Sequence, residues 1–240
     1  MKKIHFSRCA TFLFSLMLVS SLTGCFFTTK QAKPVYTPVA IKSTISNAQF
    51  RGEYLNSLDQ PAGQVSWRYV ANSSIESSPA IWGDLVIFGS NDNNLYAVNV
   101  VNGLKKWQFK TGAPVISSPA VYGNTAYFGS KDGKIYAVDL QTGLLKWACK
   151  TGGEIISSPV VKNNRVIVGS RDKNVYALDA SSGDLLWRFQ TDSVVDSSPF
   201  IMANVVYIGS YDGKMYAIDT QSGSKLWSYA TEGMITGSPV

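Results

Sequence analysis

The sixteen residues from Asp132 to Trp147, "DGKIYAVDLQTGLLKW", return along the chain at a spacing of forty. Copies begin at Asp92, Asp172 and Asp212. Other marks keep the same interval: Trp67, Trp107, Trp147, Trp187 and Trp227, and the Ser-Ser-Pro triplets that start at Ser77, Ser117, Ser157 and Ser197. A constant period between about 20 and 50 residues restricts a chain to units that stack in a line or pack around an axis.

The content of one period decides between helical and β units. Each holds four short apolar runs, which in the second copy are "SPAVYG", "TAYFGS", "KIYAVD" and "LLKWACK". They are rich in Val, Ile, Tyr, Phe and Trp, and turn residues separate them. Runs this short are too brief for helices and suit strands. Asp132-Gly133 stands where a tight hairpin needs a residue at positive φ. Asp139 is placed to accept backbone N–H groups across the next turn. The fold class expected is all-β, with each period a four-stranded antiparallel meander. One meander cannot bury both of its faces, but meanders packed around an axis cover one another, which makes a β-propeller. Runs such as "TAYF" and "VIVG" are apolar throughout, as strands covered on both faces require.

The series Ala137, Asp139, Thr142-Gly143, Trp147 resembles the tryptophan-docking motif of PQQ-like β-propeller repeats. It recurs as Ala177, Asp179, Ser182-Gly183, Trp187 and as Ala217, Asp219, Ser222-Gly223, Trp227. The first copy departs, with Asn99 for Asp and Asn102 for Thr. The resemblance spans roughly residues 48–240 and implies that the five tryptophans from Trp67 to Trp227 dock between adjacent blades.

Residues 1–24 read as a secretory signal: Lys2, Lys3 and Arg8 precede an apolar stretch too short to span a bilayer comfortably. The stretch ends in Leu22-Thr23-Gly24-Cys25, which resembles the lipobox of bacterial lipoproteins and makes Cys25 the expected lipid-attachment residue. Residues 25–63 then read as lipidated cysteine, tether and lead-in, and residues 64–240 as the repeats. Removing the signal takes three of the 22 basic residues and none of the 16 acidic ones, so the body is nearly neutral and no nucleic-acid partner is expected. It also takes the only histidine, His5, and leaves Cys149 as the one thiol without an assigned role. Cys149 reads as a small apolar core residue, because Phe109, Phe189 and Tyr229 hold the equivalent places. Phe26 after the lipidated cysteine is not the Asp that resembles an inner-membrane retention signal. The expected location is therefore the cell envelope, lipid-anchored at the outer membrane and facing the periplasm.

A quinoprotein alcohol dehydrogenase of the resembled family uses adjacent cysteines against its cofactor, and this chain has none, so PQQ is not the expected cofactor. Without a mature histidine there is no Ser-His-Asp triad and no His-based metal site, and no metal is assigned. The recurring acids Asp132, Asp172 and Asp212 read as turn residues. The period never lengthens, so no long lid loop is inserted. Variation falls instead in two short loop sets that share one face in propellers. Asn91, Lys131, Arg171 and Tyr211 stand in the second-to-third hairpins; Glu154 and Asp196 precede the first strands. This pattern reads as an interaction face for other envelope proteins, and the lipidated chain is similar to the propeller lipoprotein of the outer-membrane β-barrel assembly machinery. That resemblance implies a non-catalytic scaffold. A propeller for a small ligand or polysaccharide is the alternative, followed by a PQQ-dependent dehydrogenase fragment.

Residues 64–70, "QVSWRYV", form the fourth run of a unit whose first three runs are missing, and "GSPV" at 237–240 begins another first run. Four full blades with one strand at each end are expected: an open arc cut from a seven- or eight-bladed ring.

Overall fold

The computed structural model describes residues 65–240. The signal, Cys25 and the tether to residue 63 lie outside the described residues, as does Gln64. Within them every regular element is a β-strand. Blade 1 comprises β1 (Ala80–Trp82), β2 (Leu85–Ser90), β3 (Asn94–Asn99) and β4 (Lys105–Lys110). Blade 2 comprises β5 (Ala120–Tyr122), β6 (Thr125–Gly129), β7 (Lys134–Asp139) and β8 (Leu145–Lys150). Blade 3 comprises β9 (Val160–Lys162), β10 (Arg165–Gly169), β11 (Asn174–Asp179) and β12 (Leu185–Gln190). Blade 4 comprises β13 (Phe200–Met202), β14 (Val205–Gly209), β15 (Lys214–Asp219) and β16 (Lys225–Ala230). Each blade is a four-stranded antiparallel meander in chain order.

Local chemistry sets the turns. The second-to-third hairpins pass through positive φ at Asn93, Gly133, Lys173 and Gly213, with φ of 70, 76, 71 and 79°. In the third-to-fourth turn, Asp139 Oδ1 accepts from the backbone N–H of Gln141 at 3.1 Å and of Thr142 at 3.0 Å. Asn99 does the same for Val101 and Asn102, so its carbonyl oxygen replaces the carboxylate without loss of the turn. Ala137 pairs with Trp147 but Val138 pairs with Leu145, which leaves Lys146 as the extra residue of a bulge. The bulge recurs in all four blades and locally sharpens the twist of the outer strand beside each tryptophan.

The core lies between sheets. Ile135, Ala137 and Trp147 of blade 2 pack with Val166, Val168, Tyr176 and Leu178 of blade 3. Equivalent clusters join blade 1 to blade 2 and blade 3 to blade 4. Strand β6 is buried along its whole length, whereas β8 on the outside is mostly exposed. The short first strands lie side by side, β1 beside β5, β5 beside β9 and β9 beside β13. A serine belt ties this inner edge: the backbone N–H of Ser78, Ser118, Ser158 and Ser198 donates to the hydroxyl of the serine forty residues on, at 2.8 to 2.9 Å. The recurring Ser-Ser-Pro triplets, and Gly237-Ser238-Pro239 at the end, place those hydroxyls.

The terminal strands expected from the repeat carry no ladder here. Residues 65–70 and 237–240 are not strands, because a strand exists only where a neighbour completes its hydrogen bonds. Residues 65–71 nevertheless take the place on blade 1 that β4 takes on blade 2. Tyr69 sits 5.7 Å from Phe88 and 5.4 Å from Tyr96, just as Phe109 sits 6.1 Å from Phe128 and 5.5 Å from Tyr136.

Candidate functional site

Two sets of contacts repeat at every junction, and a third does not. The tryptophans make the first. The indole N–H of Trp67 donates to Val100 O at 2.8 Å, that of Trp107 to Leu140 O at 2.9 Å, that of Trp147 to Ala180 O at 3.0 Å and that of Trp187 to Thr220 O at 2.9 Å. Each acceptor belongs to the following blade. Trp147 and Trp187 are 9% and 8% exposed, while Trp227, with no described blade after it, is 46% exposed. Cys149 lies half-buried against the cluster between blades 2 and 3, and burial pushes its thiol up.

The second set is built on the hairpin acids. Asp172 Oδ2 accepts from the Tyr176 hydroxyl at 2.7 Å and from the Gly152 backbone N–H of the preceding blade at 2.7 Å. Asp92, Asp132 and Asp212 make the same pair of bonds, to Tyr96 and Asn72, to Tyr136 and Gly112, and to Tyr216 and Asp192. These acids therefore do more than shape a turn; each latches two blades. The four-residue spacing from Asp to Tyr was visible in every copy, but only the packed blades show that the pair meets a backbone amide from outside its own sheet. Burial works to raise Asp172, and the bonds from Tyr176, Asn174 and Gly152 outweigh it, so its carboxyl lies below the ordinary range. Burial first, then the bond to Asp172, pushes Tyr176 up to about 12.

The third set is the varied rim. The backbone N–H of Asn91, Lys131, Arg171 and Tyr211 donates to Ser74, Pro114, Glu154 and Val194 respectively, which seats each hairpin on the segment leading into its own blade. Above this common backbone the side chains differ. The Asn91 amide bonds Ser74 and Glu76. Arg171 bridges two blades: its Nη1 lies 3.2 Å from Glu154 of its own blade, and its Nε and Nη2 lie 3.0 and 2.9 Å from the two carboxylate oxygens of Asp196 in blade 4. The bond to Asp196 is the largest factor that raises the Arg171 guanidinium, and Tyr211 is raised chiefly by its own bond to the same carboxylate. Arg171 and Glu154 are about two-fifths exposed while Asp196 is 9% exposed, so the fork is anchored below and open above. Lys131 makes no ion pair among the described residues. The structure thus brings Arg171, Glu154, Asp196 and Tyr211 into one cluster on blades 3 and 4, with Lys131 on blade 2 and Asn91 on blade 1 apart from it. Among the described residues no three His, Cys, Asp or Glu side chains stand close enough to hold a metal ion. Charged and aromatic groups on rigid turns can grip a protein surface by charge and shape.

The profile of a family described as outer membrane protein assembly factor BamB matches residues 48–154 and 146–239. Among solved structures, BamB from Moraxella catarrhalis superposes with a TM-score of 0.65 at 20% identity, covering 73% of this chain and 55% of that one. The present chain therefore spans about half the length of that BamB. The computationally designed Ika8 protein gives 0.61 at 20% identity over 66% of this chain and 50% of its own. The designed Ika4 protein gives 0.60 at 20% identity over 65% of this chain and 98% of its own. No curated protein matches by sequence. At these identities the superpositions establish the β-propeller fold.

Proposed function

The chain belongs to the outer membrane protein assembly factor BamB family, and from that premise we propose that its propeller is a non-catalytic scaffold that holds other envelope proteins during outer-membrane protein assembly. The observation that supports this is the division of labour among the blades. Tryptophan, serine and Asp–Tyr contacts repeat at each junction, while the rim of Asn91, Lys131, Glu154, Arg171, Asp196 and Tyr211 changes from blade to blade. A repeated frame with one varied rim is suited to recognising an irregular partner surface. Lipid on Cys25 would hold the scaffold at the outer membrane facing the periplasm, with residues 26–63 as the tether. No cofactor is required for this role.

The test is a photo-crosslinking amino acid placed at Lys131 or Tyr211 in cells. An adduct with a component of the β-barrel assembly machinery is expected there and not from Gln141, which stands in the third-to-fourth turn of blade 2. Equal adducts from all three positions, or none, would overturn the proposal.

A further inference from the structure

One turn breaks the repeat. The first-to-second hairpin reads Trp82-Gly83-Asp84-Leu85 in blade 1, Tyr122-Gly123-Asn124-Thr125 in blade 2 and Met202-Ala203-Asn204-Val205 in blade 4. Blade 3 has Lys162-Asn163-Asn164-Arg165, with a cation at each end. Both central asparagines take positive φ, 49 and 59°, which asparagine tolerates better than most residues with a Cβ. The turn closes with two long basic side chains leaving its flanks.

The two cations are held differently. Lys162 Nζ crosses to blade 4 and donates to Ala203 O at 3.2 Å. Among the described residues the Arg165 side chain has a single long bond, from Nη1 to Asn163 O at 3.5 Å, and its buried Nε has no partner. A buried N–H of a cation without an acceptor is costly, and folded proteins seldom leave one.

The facing side of blade 4 departs from the repeat at the same place. In blades 2 and 3 the turn asparagine donates to the acid of its own third strand, Asn124 to Asp139 at 2.8 Å and Asn164 to Asp179 at 2.9 Å. Asn204 makes no such bond to Asp219, although Asp219 Oδ1 keeps the turn bonds from the Gln221 and Ser222 N–H groups and the Ser222 hydroxyl. Between the two turns lies a cleft of about 20 Å³, lined by Lys162, Arg165, Asn204 and Gln221 over Ile167 and Ile201. That interior is the size of one oxygen atom or water. Among the described residues, two cations and no carboxylate line the cleft; Arg165 also acts on Asp219 electrostatically and is the register partner of Asp179 on the next strand.

We propose that this cleft between blades 3 and 4 is a binding site for a phosphate-type oxyanion. One oxygen enters and accepts from Arg165 Nε, while the others stay at the mouth within reach of the Lys162 ammonium and the Asn204 amide. A charge-assisted bond to a guanidinium is stronger than a neutral one and rewards an acceptor with several oxygens. Free phosphate and a phospholipid headgroup offer the same chemistry.

The experiment is phosphorus NMR of the full chain, titrating inorganic phosphate at constant ionic strength. Saturable line broadening is expected. Arg165→Gln should weaken it by roughly ten-fold or more, Lys162→Gln by about three-fold, and Lys146→Gln, a control on blade 2, not at all. Asn204→Leu provides a further variant if Arg165→Gln does not fold. A short-chain phosphatidylglycerol kept below its micelle concentration separates the sources: tighter binding than phosphate assigns the lipid headgroup, and equal or weaker binding assigns the free anion. No saturable binding of either compound, or equal loss in Lys146→Gln, would overturn the site.

Discussion

A Cβ added to Gly183 would stand 2.6 Å from Cδ2 of Trp147, and the Trp147 indole N–H reaches the Ala180 carbonyl of the same turn at 3.0 Å. The glycine and the tryptophan belong to adjacent blades, so this one relationship couples two sheets. Gly183 also has a φ of 80°, a conformation that costs a residue with a Cβ.

Gly183→Ala is therefore expected to destabilise by about 2–4 kcal/mol, from strained backbone and steric overlap together. Trp147→Ala should cost about 3–5 kcal/mol for the lost burial and cavity. The double variant should cost clearly less than the sum, because removing the indole removes the overlap and leaves only the backbone term. Denaturant midpoints of the four proteins give the coupling energy, and strict additivity would sink the docking role proposed for the tryptophans.

Position along the repeat should grade the tryptophans. Trp147 is 9% exposed and Trp227 is 46% exposed, so Trp227→Ala should cost less than half of what Trp147→Ala costs. Lys146 is the bulge residue, with its Nζ 2.7 Å from the Thr125 hydroxyl and 3.5 Å from Asp139 at the surface. Lys146→Ala should stay within about 1 kcal/mol. Equal midpoints for all three would show that burial at the junction is not the source of the effect.

The Asp–Tyr latch makes stability depend on pH at both ends. The Asp172 carboxyl is held low, so its contribution is whole above the ordinary carboxylate pKa of ~3.9 and is lost as pH falls through the lowered value. The Tyr176 phenol is raised from 10.0 to about 12, so its contribution is whole below 10.0 and is lost as pH rises through about 12. The contribution of this latch should be flat between about pH 5 and 10 and fall outside that window. Asp172→Asn should lower the midpoint of Tyr176 ionisation, read by phenolate absorbance in a variant series, and an unchanged midpoint would remove Asp172 as a cause.

Lipid on Cys25 has a direct readout. The wild-type protein should sediment with membranes and yield an acylated N-terminus, and Cys25→Ala should move it to the soluble fraction with little change in unfolding midpoint. An unmodified N-terminus on the wild-type protein would rule the anchor out.

The forty-residue period, the four short runs in each unit and the turn residues between them determined the meander and its order, because alternation and turn chemistry are local and every copy states them again. The repeat also marked Trp147, Asp139 and Gly183, and it marked Arg171, Tyr211, Glu154 and Asp196 as positions that vary. It did not tell which of those four meet. Arg171 and Asp196 are 25 residues apart and belong to different blades, and only the angle between packed sheets brings the guanidinium onto the carboxylate. The Ser-Ser-Pro triplets were plain as letters, yet the belt they form joins residues forty apart and exists only once the inner strands lie side by side. The Asp–Tyr spacing was equally legible, but its meaning rests on a backbone amide from the preceding blade. Sequence determined what each blade is, since hydrogen bonding along a meander is local; tertiary structure decided what lies between blades, since those contacts depend on how two separately formed sheets come to rest against each other.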